Sequence, residues 1–276
     1  MKPHLYIFAF TLVACNSLKE ADSDITPDAS INYFNAAEGI TALPGTKAVY
    51  MDVMDTTQTD PVQFTDKTTA GETFPALTST GPSGTVSILS MMQPSGTHRF
   101  IYTNGRKRIL ADTTFDLTAG GKHTFYAYDD ADSLLYRCRI LHIVENTSAG
   151  ADECRFRLLH LSSDLGEMNC YYIKDDGTKV FPASLPSNIK YGNYSDLIKL
   201  DTAIVGEDGN AYLQFFTGTD TATVKATATI PYRNGRSYAV VVKGLVNQKF
   251  LAYEDAAGSV SVQLSAGILA RVRIIN

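Results

Sequence analysis

The chain has 276 residues, a net charge of −5, 15 Tyr, 13 Phe and no Trp. An acidic chain with no Lys/Arg cluster argues against nucleic acid and against anionic lipid headgroups as partners. The length allows one large or two ordinary domains, and frequent Thr, Val, Tyr and Phe suit strands on pleated, half-buried surfaces.

The N-terminus comes first. Lys2 supplies a positive start and Leu5–Val13 a short apolar stretch. A helix needs about 20 apolar residues to span a bilayer, so this stretch is too short to cross and suits the apolar core of a cleaved export signal. The residues Leu12-Val13-Ala14-Cys15 resemble the lipobox of bacterial lipoproteins, in which a small residue precedes the cut and the cysteine thiol takes a diacylglycerol. Buried acyl chains contribute about 0.8 kcal/mol per CH₂, and two or more hold firmly where one is marginal. The rival reading is an ordinary secretory signal with an incidental Cys15, which would leave a lone thiol at the new N-terminus. The expectation is a signal peptide over residues 1–14, then lipidated Cys15 and a polar, acidic tether over residues 15–30. Removing Lys2 with the signal takes the charge from −5 to −6. The expected address is the cell envelope, anchored by lipid at the outer membrane, on its periplasmic face or at the cell surface.

Beyond the tether, short alternating runs follow one another between turn residues, as in a sandwich or barrel. Expected strands are Ile31–Asn35, Ala48–Val53, Thr85–Ser90, Thr97–Thr103, Lys122–Tyr128 and Leu134–Ile143. They continue with Arg155–His160, Asn169–Lys174, Tyr212–Phe216, Thr221–Ile230, Ser237–Lys243 and Lys249–Tyr253. Turns fall at Asn104-Gly105, Asp175-Asp176-Gly177 and Asn234-Gly235. The segment Asp55–Gly84 is far longer than a usual connection. No stretch of the mature chain keeps helical periodicity over several turns. Cys138, Cys154 and Cys170 each alternate with polar neighbours and are expected as buried free thiols. If Cys154–His160 and residues 168–173 form a hairpin, Cys170 faces His160 and cannot bridge to Cys154.

The halves resemble each other. Ile31–Asn35 lines up with Phe156–His160, which sets Asn35 opposite His160. The run Gly96–Phe100 matches Gly209–Leu213, and Gly121–Ala127 matches Gly235–Val241, pairing His98 with Ala211 and His123 with Ser237. A duplicated unit follows, with domains over residues 31–150 and 151–276. The last residues, Arg271–Asn276, resemble Arg155–His160; they either close the second unit or begin a lost third copy, and an unpaired apolar strand would be an aggregation edge, which favours closure.

The run Arg155-Phe156-Arg157-Leu158-Leu159-His160-Leu161-Ser162-Ser163-Asp164 resembles the opening signature of the domain of unknown function 4397 family. In that family an apolar strand leads to His or Asn and a small-Ser-Pro-Asp turn; here Ser163 stands at the Pro position, and the first copy keeps only Asn35. Gly96–Phe100 resembles a second hallmark, a Gly opening an alternating strand. The resemblance implies immunoglobulin-like β-sandwiches, often in tandem in exported bacterial proteins, with no assigned activity. The fold expectation is thus all-β, with two tandem immunoglobulin-like β-sandwich domains.

Little points to catalysis. Of the mature chain's histidines, His98, His123 and His142 sit on expected strands and His160 ends one, none with the i+2 or i+4 partner of a metal site. His160 with Asp164 is the most tempting pair, but its counterpart Asn35 cannot shuttle protons. Asn35, His160 and Asp164 are therefore expected to close turns. No Gly-x-Ser-x-Gly elbow appears, and the acidic runs at 128–132 and 174–177 lack the spacing of an EF-hand. Five Asp-Thr/Ser triplets, beginning at Asp55, Asp112, Asp132, Asp201 and Asp220, resemble O-glycosylation sites of exported Bacteroidetes proteins, although the same pairs suit turns. No catalytic residue, metal or cofactor is expected. The leading function is a non-enzymatic, membrane-anchored binding or structural module with a protein or glycan ligand. One alternative is a carbohydrate-binding accessory of polysaccharide uptake, using Tyr191, Tyr194, Phe215 or Phe216 to stack on sugars. The other is a hydrolase with a dispersed site.

Overall fold

The computed structural model describes residues 28–43, 48–51, 91–103, 108–131, 135–145, 149–255 and 258–275. Cys15, most of the tether, the segment Asp55–Gly84, the expected strand Thr85–Ser90 and the turn Asn104-Gly105 lie outside the described residues.

The chain is all-β. Its first half contains β1 (Ala29–Asn35), a one-turn helix α1 (Glu38–Ala42), β2 (Ala48–Met51), β3 (Met91–Gln93), β4 (Gly96–Thr103), β5 (Ile109–Leu117), β6 (Lys122–Asp129) and β7 (Cys138–Val144). The second contains β8 (Cys154–His160), β9 (Met168–Ile173), β10 (Lys179–Val180), β11 (Ile198–Lys199) and β12 (Asn210–Thr217), then β13 (Ala226–Pro231), β14 (Arg236–Leu245), β15 (Lys249–Asp255), β16 (Gly258–Leu264) and β17 (Gly267–Ile274). Among the described residues no helix is long and apolar enough to cross a membrane.

Each half pairs two sheets. In the first, an inner sheet ordered β3-β1-β6-β7 packs on an outer sheet β2-β4-β5; in the second, β11-β8-β14-β17 packs on β10-β9-β12-β13. Both inner sheets hold one parallel pair, β1 with β6 and β8 with β14, flanked by antiparallel strands. The first core joins Ile31, Tyr33, Phe125 and Ala127 to Phe100, Tyr102 and Leu117. The second joins Phe156, Leu158, Val240 and Val242 to Leu213, Phe215 and Ile230.

A third core lies between the halves. Phe34, Tyr126, Tyr128 and Ile143 from one inner sheet meet Leu159, Ala239, Val241 and Ile275 from the other. The body is four sheets deep, and the inner sheets are covered on both faces. That is why β6 and β14 are buried along nearly their whole length instead of alternating, as strands of a doubly covered parallel pair do.

The two inner sheets share one arrangement around a parallel pair, but the register of the match differs from the alignment read off the glycines. Ile31 pairs with His123, whereas its counterpart Phe156 pairs with Tyr238. His123 therefore matches Tyr238, not Ser237. The cause is the tandem Gly120-Gly121: the residue that turns with positive φ, as Gly235 does at +74°, is Gly120 at +68°. A slip of one residue sends every side chain to the opposite face, so the correction moves Thr124 and Tyr126 from core positions to the seam.

Three further expectations change. Strands β8 and β9 do not form a hairpin but belong to different sheets, because the turn between them crosses the sandwich and buries Leu161 and Leu165. The three cysteines are free and buried. Strand β5 was hidden by its exposed Asp112, Thr114 and Asp116, which mark an edge strand; Arg99 on β4 pairs with Asp112 at 2.6 Å. The chain's last strand, β17, runs antiparallel to β14 from Gly267 to Ile274 and closes the inner sheet.

Strands β15 and β16 form an arm without counterpart among the described residues of the first half. They continue the β14–β17 ribbon beyond Leu245↔Gly267, yet Leu251, Tyr253 and Val262 pack into the first core. The Tyr136 N–H donates to Ala252 O at 2.8 Å. Gly244 makes the bend possible: its φ is +97°, and a Cβ there would lie 2.0 Å from Gly267 O.

Candidate functional site

The turn that carries His160 and Asp164 follows β8. His160 Nε2 donates to Gly166 O at 2.5 Å, and Nδ1 accepts from the Ser162 N–H at 3.4 Å. Both ring nitrogens are thus engaged in spanning the turn. Burial pulls the His160 pKa down, against the opposing effect of the Gly166 carbonyl. A neutral ring that donates from one nitrogen and accepts at the other has no lone pair left for a substrate proton. At the matching position Asn35 Oδ1 accepts from Ala37 N–H at 2.9 Å, while its Nδ2 donates to Thr41 Oγ1 at 3.3 Å.

Asp164 does not face His160 as a catalytic partner. Its carboxylate accepts from Val246 N–H at 2.7 Å and Asn247 N–H at 3.0 Å, the two amides where β14 leaves its ladder and the arm begins. The first half does the same job from the other strand. Asp129, at the end of β6, accepts from Glu38 and Gly39 N–H, each at 3.0 Å, and from the Tyr136 hydroxyl at 3.0 Å. Burial raises its pKa, opposed by these hydrogen bonds. Removing the Asp164 acceptor orphans two amides at the bend. Asp164→Ala is expected to cost about 1–3 kcal/mol, measured by urea denaturation, with Asp164→Asn costing less because one oxygen still accepts.

The loop 189–197 fastens the second turn to the first half. Tyr191 sits edge-on to both His160 and Tyr128, and its hydroxyl donates to Asp129 O. Of the aromatics considered for sugar stacking, Phe215 is core, Phe216 is buried and Tyr191 is packed in the seam; only Tyr194 is exposed, at 43%, above the Arg157 guanidinium. Burial follows from strand alternation at Phe215, which pairs opposite Cys170 and Ala226 on the core face of β12.

The seam also holds charges. Arg157 Nη2 lies 3.1 Å from Glu145 Oε2, and Lys243 Nζ lies 2.7 Å from Glu38 Oε1; both pairs join one half to the other. Burial raises the Glu145 pKa, opposed by Arg157 and Arg273. Arg273 is fully buried, its guanidinium over the rings of Tyr126 (5.2 Å) and Phe34 (5.7 Å). The sequence signal was present in Arg157 and Arg273, polar residues alternating with Phe156, Leu158 and Val272, but alternation points equally to water.

His123 and His142 also meet, Nδ1 to Nε2 at 2.8 Å, across the β6–β7 hairpin. His142 is held down at about 4 by burial and by His123. The ring stacks on Phe125, and His123 Nε2 accepts from Thr118 N–H at 3.1 Å, so the pair belongs to the core. His98 Nε2 contacts Pro94 O at 2.8 Å. Among the described residues no group of three or more His, Cys, Asp or Glu could hold a metal ion. The acidic runs hold turns: Asp175 accepts from Glu207 N–H and Asp176 from Thr178 N–H. Of the triplets, Asp201 and Asp220 cap turns at Ala203 and Ala222, and Asp112 lies on β5; those beginning at Asp55 and Asp132 lie outside the described residues. Burial pushes the Cys170 thiol up to about 12 and raises Cys138 as well, so neither is a ready nucleophile.

No family model matches the chain, and no curated protein matches its sequence.

Proposed function

We propose that the protein is a lipid-anchored module of the bacterial cell envelope, at the outer membrane, that binds or braces and catalyses nothing. In this reading the two halves are tandem immunoglobulin-like sandwiches related to the domain of unknown function 4397 family, and Cys15 carries the lipid. Support comes from one observation above all: His160, Asn35, Asp164 and Asp129 spend their hydrogen-bonding capacity on fastening turns, the arm and the seam. Residues so used build a rigid scaffold and leave recognition to loops and outer faces. Cys15→Ser is expected to abolish incorporation of a fatty-acid label in the native bacterium; persistent labelling would remove the anchor from this reading.

A carbohydrate ligand is favoured by a different observation. Phe181 is 53% exposed and lies on Tyr171 (4.9 Å) and Phe216 (6.0 Å) at the outer sheet of the second half. Lys179 Nζ lies over the same Tyr171 ring at 4.7 Å, and the Tyr171 hydroxyl donates to Gln214 Oε1 at 2.8 Å. An aromatic face rimmed by hydrogen-bonding groups suits a sugar ring. Signal on a glycan array that Phe181→Ala erases would support this ligand class, and silence of the wild-type protein would discard it.

A further inference from the structure

Arg273 stands in a row of three across the inner sheet of the second half. Ala239 pairs with Arg157 on one side and with Arg273 on the other, so all three side chains point into the seam, and only a methyl group fills the space between two arginine stems. Arg273 has no solvent exposure, and its Nε, Nη1 and Nη2 have no hydrogen-bond partner among the described residues. The rings of Tyr126 and Phe34 attend to the guanidinium as a cation. They do nothing for its N–H groups, which lie in the guanidinium plane and need acceptors. The Glu145 carboxylate is the nearest candidate and lies 3.1 Å from Arg157; its two oxygens also lack a hydrogen-bond partner among the described residues, so one carboxylate faces the donors of two guanidiniums. Arg157 Nε and the Tyr126 hydroxyl are also without acceptors.

The charges do not balance either. Lys243 and Glu38 neutralise each other, whereas Arg157 and Arg273 share the single carboxylate of Glu145. Tyr126 cannot supply the missing charge, since burial raises its pKa to about 12 even with both arginines near. One positive charge and a set of orphaned donors therefore remain inside a water-excluded layer walled by Phe34, Leu159, Val241 and Ile275. Buried charges without a counter-charge are among the costliest arrangements in a protein interior.

We infer that a small monovalent anion of the halide class sits in this seam, held by the Arg273 guanidinium and the Tyr126 hydroxyl and clamped between the two halves. One negative charge completes the balance. A doubly charged oxyanion such as sulfate would overshoot it. A cation is refused by the two arginines. The ion would link the halves, because Arg273 and Arg157 come from one and Tyr126 and Glu145 from the other.

The test uses the mature chain crystallised in sodium bromide, with data collected at the bromine absorption edge. An anomalous peak within hydrogen-bonding distance of the Arg273 guanidinium is the expected result. Water there, or the Glu145 carboxylate turned across to Arg273 with no anomalous peak, would overturn the proposal. In parallel, thermal unfolding is followed while bromide replaces fluoride at constant ionic strength. The midpoint of the wild-type protein should rise with bromide, and that of Arg273→Leu should not. Equal slopes in the two proteins would also overturn it. Should Arg273→Leu fail to fold, the crystallographic arm decides alone.

Discussion

Replacing Glu145 with alanine is expected to lower the unfolding free energy by about 3–5 kcal/mol, the usual cost of leaving a buried charge without its partner. Glu145 is buried and provides the carboxylate 3.1 Å from Arg157, with Arg273 close enough to oppose the burial-driven rise of its pKa. Its loss leaves two guanidiniums facing each other across Ala239 with no counter-charge from either half. The opposite change behaves differently. In the corrected register the first-half counterpart of Arg273 is Ile143, which fills the same face of its own inner sheet. Arg273→Ile removes a desolvated cation, keeps the Arg157–Glu145 pair, and puts a branched apolar side chain against Phe34 and Tyr126. It is expected to stabilise the protein by about 1–4 kcal/mol, as apolar replacements of buried charges often do. Urea denaturation of the two variants beside the wild type measures both signs. A neutral Glu145→Ala would mean that the seam opens to water.

Cutting out the arm is expected to unfold the first half and spare the second. The ladder between β14 and β17 runs unbroken to Leu245↔Gly267, so residues 246–266 can be replaced by a two-residue Asn-Gly turn of the kind that closes tight hairpins. Among the described residues the second core contains no side chain from β15 or β16, and of the segment removed only Val246 packs against it. The first core loses Tyr253, Leu251 and Val262. Burying one such side chain contributes about 1.5–3 kcal/mol, so the three together are worth roughly the lower end of a whole domain's stability, about 5 kcal/mol. The Tyr136 N–H also loses its acceptor, Ala252 O. Hydrogen exchange resolved by peptide gives the readout: β6 and β7 should lose protection while β12 and β13 keep theirs. Equal protection in both halves would show that the arm only decorates the first core.

The arm sets apart two halves whose inner sheets match strand for strand. In the first half, β6 reaches β7 through residues 130–137; in the second, β14 reaches β17 only after the ribbon has bent away and returned. Asp164 fixes the bend through Val246 and Asn247. Asp164 thus fastens the point where a piece of the second half departs toward the first.

Much of this was legible along the chain, and particular residues show where legibility stops. Alternation of two marked most strands, because one face of each outer strand meets a core and the other meets water. It gave no warning of β5, whose acids and threonines outweigh Leu110 and Leu117. Nor did it mark the hairpin partner of β15, since Gly258–Leu264 alternates Val with Ser and Gln as any solvated strand does. The repeat was visible from glycines, yet two adjacent glycines left two registers open, and only backbone dihedrals distinguish the one that turns. The interchange of His160 and Asn35 places both at turns; Asp164 reads as part of the same turn, whereas its partners lie more than eighty residues onward.

Composition and alternation were enough to determine an all-β chain with buried free thiols, because those features depend on near neighbours and on what each side chain does in water. The tertiary structure alone decided that the inner sheets face each other, that Arg157, Glu145 and Arg273 are sealed between them, and that an arm of one unit completes the core of the other. A polar residue alternating with apolar ones looks the same whether its face meets solvent or a second sheet. The difference is made by contacts between separate sheets, such as Arg273 with Tyr126 and Lys243 with Glu38, more than a hundred residues apart, which no local pattern records.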